Sequence, residues 1–129
     1  MAAITPVVDR DRLVDTASRM VGVWSFTGSE EPMAELMREL YGEMGLRCQW
    51  QQVEDGRANA LGVWEGAGGG KSLMFNGHMD TSYSGQEPWL AGIPGFQPKA
   101  FVKDGRIYGN GISNMKGALA CYVEAVRAL

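Results

Sequence analysis

Ser72-Leu73-Met74-Phe75-Asn76-Gly77-His78-Met79-Asp80-Thr81 is the stretch on which the fold turns. Its first five residues make a short, largely apolar run bounded by Gly70 and Gly77, which predicts a strand at the buried centre of a sheet. Side chains two apart on an extended segment point the same way, so His78 and Asp80 are expected to face one crevice. Ligand sites of open α/β sheets gather at such strand ends. His78 is the only histidine in the chain. An imidazole that binds a metal through one nitrogen needs an acceptor on the other, and Asp80 suits that task. A lone histidine is more often a hydrogen-bonded structural residue, so this motif by itself assigns no metal.

Outward toward the N-terminus, Leu13, Val14, Ala17, Met20 and Val21 recur at helical spacing, predicting a helix from Asp9 to about Val21. Ser29 is the expected N-cap of a second helix, since Glu30, Glu31 and Pro32 suit a first helical turn. That helix runs to about Met44, with Met33, Leu36, Met37, Leu40 and Tyr41 as a core-facing stripe and Gly45 as its stop. The period then changes. Cys48–Val53 alternates as a half-buried strand, Glu54-Asp55-Gly56-Arg57 reads as a hairpin turn, and a second strand is expected from Ala58 to Trp64. The glycine run from Gly66 to Lys71 lacks the P-loop spacing and precedes a strand rather than a helix, so it reads as a hairpin tip.

Toward the C-terminus, a polar Gly- and Pro-containing segment spans Ser82 to Gly95, and Phe96–Val102 is irregular or extended. A turn at Lys103–Arg106 leads into a short strand, Ile107-Tyr108, and a loop through Asn114 opens a helix from about Met115 to the end. The order of elements predicts an α/β layer structure.

Composition narrows the function classes. The 129 residues are 45% hydrophobic and 21% charged, with a net charge of −3. This is enough apolar content for one core, with no basic run of the kind that binds nucleic acid. No signal peptide or membrane-spanning stretch is legible. Two cysteines, Cys48 and Cys121, are too few for a disulfide scaffold and suit a reduced, cytoplasmic chain.

Gly77-His78-Met79-Asp80-Thr81 together with Gly105-Arg106-Ile107-Tyr108-Gly109-Asn110-Gly111-Ile112-Ser113-Asn114-Met115-Lys116-Gly117 resembles the paired signature of the M20 metallopeptidases and amidohydrolases. That family includes deacetylases, aminoacylases, dipeptidases and carboxypeptidase-like enzymes. Trp89 and Thr27-Gly28-Ser29-Glu30-Glu31 are similar to the family's connecting segment and second-helix entry. The resemblance implies a partial three-layer, zinc-peptidase-like catalytic domain, a mixed sheet flanked by helices, with residues 1–129 forming its N-terminal portion. It implies a metal-activated water that cleaves the amide bond of an N-acyl amino acid or short peptide. It also implies two zinc or cobalt ions per site, no membrane or nucleic-acid partner, and full-length relatives that are often homodimers. His78 matches a metal ligand, Asp80 the catalytic aspartate that orients it, and Asn114 the position of an aspartate that bridges the two ions.

Two departures qualify this. Asparagine offers one neutral oxygen and an NH2 that cannot coordinate, so the second ion is expected to bind weakly, or Asn114 merely caps the helix that follows. The family's Glu-Glu pair, later acidic ligand, final histidine and inserted dimerisation domain have no counterpart among these residues. The 129-residue chain is therefore expected to be incomplete and inactive alone, ending in mid-helix at Leu129. The alternative is a non-catalytic remnant that serves as a binding or assembly module.

Overall fold

The computed structural model describes residues 6–129. Helix α1, Arg10–Gly22, begins where the Asp9 carboxylate accepts the Arg12 backbone N–H at 3.0 Å, one of the donors a helix start leaves unmet. Helix α2, Glu31–Glu43, does not use the expected Ser29 cap. Glu30 stands at its start and folds back to accept Gly28 N–H at 3.0 Å. The same carboxylate takes the Arg57 guanidinium at 2.7 and 2.8 Å, which ties the helix to the hairpin that follows. Gly45 leaves the helix at φ 71°, the left-handed conformation expected of a helix-terminating glycine.

Strands β1, Arg47–Glu54, and β2, Arg57–Val63, pair antiparallel across the Asp55-Gly56 turn, with a register shift between Gln52 and Glu54. β2 lies on α2 so closely that a Cβ at Gly62 would stand 2.8 Å from the Tyr41 ring. Strands β3, Phe101–Lys103, and β4, Arg106–Tyr108, form a second hairpin around Asp104-Gly105, so the strand read at Ile107-Tyr108 has its partner in the stretch read as irregular. Helix α3, Gly117–Arg127, starts two residues later than predicted, after a wide turn over Ile112–Lys116, and ends before Leu129.

The three helices share one core. Ala17 and Met20 of α1, Met33, Leu36, Met37 and Leu40 of α2, and Leu119, Ala120 and Val123 of α3 form a single buried cluster, as the methionine-rich stripe predicted. Arg12 of α1 binds the buried Glu124 of α3 through both its Nε and Nη2 at 2.8 and 2.6 Å. The Arg12 guanidinium holds that carboxyl below its ordinary range.

The α/β class is as expected, but the central strand is not. Ser72–Asn76 belongs to no strand, and the pairing among the described residues is two separate two-stranded antiparallel sheets plus one parallel bridge, Phe26 to Thr81. An apolar run forms a ladder only where neighbouring strands satisfy its N–H and C=O groups, and no described strand lies beside this one. Leu73 and Met74 are accordingly 80% and 82% exposed. The segment rests on α3 instead. Phe75 stacks on Tyr122 with ring centroids 4.8 Å apart, and the backbone at Gly77 passes so near Met115 and Leu119 that a Cβ would sit 2.7 and 2.8 Å from them.

Candidate metal centre

Two loops carry the site, and both are seated on α3. Gly77, by its close approach to Met115 and Leu119, sets His78 directly beside the wide turn that precedes that helix. Within the turn Gly111 has φ 78°, and Asn114 and Met115 leave helical geometry, with the peptide between them cis. The Asn114 side-chain oxygen lies against the imidazole. No side-chain cap bond exists at that helix start, so the capping role for Asn114 is set aside.

His78 stands between two oxygens. Its Nδ1 lies 2.8 Å from Asp80 Oδ1, the pairing expected from the His-x-Asp spacing, and 3.2 Å from the Asp80 carbonyl oxygen. Its Nε2 lies 2.9 Å from Asn114 Oδ1. With an acceptor at each nitrogen the ring holds its second proton well. The Asn114 oxygen, followed by the Asp80 charge, raises the His78 pKa above its usual value. Asp80 moves the other way, because the Thr27 hydroxyl and then His78 stabilise the carboxylate.

Sequence reasoning missed two residues that shape this arrangement. Thr27 Oγ1 donates to Asp80 Oδ2 at 2.6 Å, a contact spanning 53 positions that no local pattern signals. Lys116 is 2% exposed, and its ammonium donates to the Val23 carbonyl at 2.7 Å. Burial pushes its pKa down to about 8. A lysine after a helix-entry loop reads as a solvent-facing charge, and only the packing shows otherwise.

The donor set fits a metal ion in part. His78 Nε2 and Asn114 Oδ1 lie side by side at 2.9 Å, and the Asp80 carboxylate lies against the opposite ring nitrogen. Among the described residues no group of three or more His, Cys, Asp or Glu gathers around a metal position. The site is open: His78 and Asn114 are exposed, and two surface depressions of about 450 and 460 Å³ line α2 without touching either. No described helix is long and apolar enough to cross a membrane.

Residues 74–129, which contain both loops, match the model of peptidase family M20/M25/M40. The chain is 32% identical over 120 residues to the succinyl-diaminopimelate desuccinylase of Anaplasma marginale (strain Florida), an alignment that covers 92% of this chain and 30% of that protein. It is 31% identical over 121 residues to the succinyl-diaminopimelate desuccinylase of Roseobacter denitrificans (strain ATCC 33942 / OCh 114), covering 93% of this chain and 30% of that protein. The chain thus spans about 30% of the length of these relatives. No solved structure matches it.

Proposed function

We propose that this chain, which matches the M20 family over residues 74–129, contributes to an amide-cleaving metallohydrolase of that type the half of the metal centre built by His78, Asp80 and Asn114. The observation that carries this reading is the single imidazole held between a carboxylate on Nδ1 and a second oxygen donor at Nε2. His78 Nε2 would ligate the ion once its proton is lost, and Asp80 would keep the ring in the tautomer that leaves Nε2 free. Asn114 Oδ1 would supply a neutral oxygen. A bound zinc or cobalt ion would contribute Lewis acidity and an activated water for attack on an amide carbonyl. The substrate class we propose is an N-acyl amino acid, with an N-succinyl diamino acid favoured by the names of both relatives and a short peptide as the alternative. We place the chain in the cytoplasm, a reading its two free cysteines support.

Asn114 sets the second part of the reading. Replacing a bridging carboxylate by an amide removes the negative charge that would screen two dications from each other, so at least one of the two ions binds more weakly. Among the described residues no group of three or more His, Cys, Asp or Glu gathers to complete a metal position or supply a base beside it. We therefore expect the 129-residue chain to bind zinc without hydrolysing amides. Zinc stoichiometry by calorimetry tests this. Wild type should take up no more than one ion, His78→Ala should lose it, and Asn114→Asp should bind more tightly or add a second. Two tightly held ions unaffected by Asn114→Asp, or zinc binding that survives His78→Ala, would overturn the reading. Hydrolysis of N-succinyl or N-acetyl amino acids above background would overturn the inactivity.

A further inference from the structure

We propose that Thr27 is a positioning residue of this site, holding the Asp80 carboxylate in the one orientation that presents Oδ1 to His78. The two oxygens of Asp80 are divided between two partners. Oδ1 faces His78 Nδ1 at 2.8 Å, and Oδ2 accepts the Thr27 hydroxyl at 2.6 Å. An Asp χ2 torsion is broad and roughly two-fold, so a carboxylate held at one oxygen alone still rocks about that bond. A second hydrogen bond from the opposite side removes that freedom, and the imidazole plane inherits the constraint.

The donor is itself fixed. Thr27 N donates to the Thr81 carbonyl at 3.2 Å and Thr81 N donates to the Ser25 carbonyl at 2.8 Å, so residues 25–27 run parallel to the backbone that carries Asp80. The same crossover from α1 to α2 reaches the other loop. The Val23 carbonyl accepts Lys116 Nζ two residues beyond Asn114. The two loops also meet each other directly, since a Cβ at Gly111 would stand 2.6 Å from the Thr81 methyl group. Val23–Thr27 is thus a brace touching both halves of the site, and Thr27 is its only hydroxyl bonded to a residue of the His78–Asp80–Asn114 set.

The consequence for metal affinity rests on the metal-centre reading; the orientation of His78 does not. Because His78 is the only histidine, its ring signals in an isotope-labelled 129-residue chain are identified without ambiguity. Thr27→Val preserves shape and removes the hydroxyl, and Thr27→Ser keeps the hydroxyl and removes the methyl. In the zinc-free chain, Thr27→Val should shift the His78 ring nitrogen and proton resonances, and Thr27→Ser should restore them. Zinc added alone, followed by calorimetry, should bind about 10-fold or more weakly to Thr27→Val and near wild-type strength to Thr27→Ser. Should the valine chain fail to fold, Thr27→Ala at this exposed position supplies the same comparison. Ring resonances indifferent to loss of the hydroxyl, or valine and serine chains that change alike, overturn the proposal. Ring resonances that follow the hydroxyl while no version of the chain binds zinc uphold the positioning role and overturn the metal-centre reading instead.

Discussion

The helical layer and the segment that carries His78 are built on opposite principles. Residues 10–44 and 117–127 bury their apolar stripes against one another, with Met20, Met33, Leu40 and Ala120 wholly shielded from solvent. Residues 72–82 have just as apolar a start, yet Leu73 and Met74 lie open, and the segment is located by single close approaches at Phe75, Gly77 and Thr81. The first region is held by area removed from water, the second by a few specific contacts to the helix and the brace beside it. A metal site placed on the second region is therefore only as well ordered as its hydrogen bonds.

That contrast predicts the largest effect in the helical core. Leu40→Ala removes a side chain with 0% exposure and should cost about 2–5 kcal/mol, measured by denaturant unfolding. A loss under about 1 kcal/mol would mean that the core relaxes around the gap and that the two regions differ less than their burial suggests.

Lys116, where the second loop joins the core, comes next. Its ammonium is buried, and burial lowers its pKa from 10.5 to about 8. Below pH 8 the folded and unfolded chains both carry the charge, so the penalty of burying it is present in full. Between about 8 and 10.5 the unfolded chain binds the extra proton, so stability rises with pH, by up to roughly 3 kcal/mol at 1.36 kcal/mol per unit. Tyr41 works against this above about pH 10, because burial raises its phenol and folding then opposes its ionisation. The comparison is cleanest at pH 8–10, where Lys116→Met should abolish the rise. A flat wild-type profile over that range would show the ammonium reaching water.

At the join between the regions, Gly77→Ala should cost about 1–3 kcal/mol, since the added Cβ meets Leu119 at 2.8 Å and Met115 at 2.7 Å. Met115 has a flexible side chain and directly follows Asn114, so the displacement should also weaken zinc binding. Unchanged zinc affinity beside a real loss of stability would separate the seat of the segment from the geometry of the site.

How much of this was legible follows the same division. Helical periodicity, the Asp55-Gly56 and Asp104-Gly105 turns and the pairing of His78 with Asp80 are local relations, and the chain shows them as read. The Ser29 cap failed because Arg57, well outside the helix, recruits Glu30 to its start. The Ser72–Asn76 strand failed because a ladder depends on neighbours that periodicity cannot reveal. Thr27 and Lys116 were invisible for the same reason: each acts through a partner more than fifty residues away.

The smallest predicted effect is the most discriminating. Leu73→Ala deletes the same atoms as Leu40→Ala, but from a side chain 80% exposed, so its cost should stay within about 0.5 kcal/mol. Two leucines in one chain then differ several-fold through burial alone, with propensity and composition held fixed. If Leu73→Ala instead costs as much as Leu40→Ala, Leu73 is packed in solution, and the apolar run reads as the covered strand its sequence predicts. Hydrogen exchange at residues 72–76 distinguishes the two cases. Amides without ladder partners exchange at nearly unfolded rates, whereas amides in a sheet are protected along with the core. Fast exchange together with a negligible Leu73→Ala cost would confirm that His78 is held from the α3 side and by Thr27, with no sheet behind it.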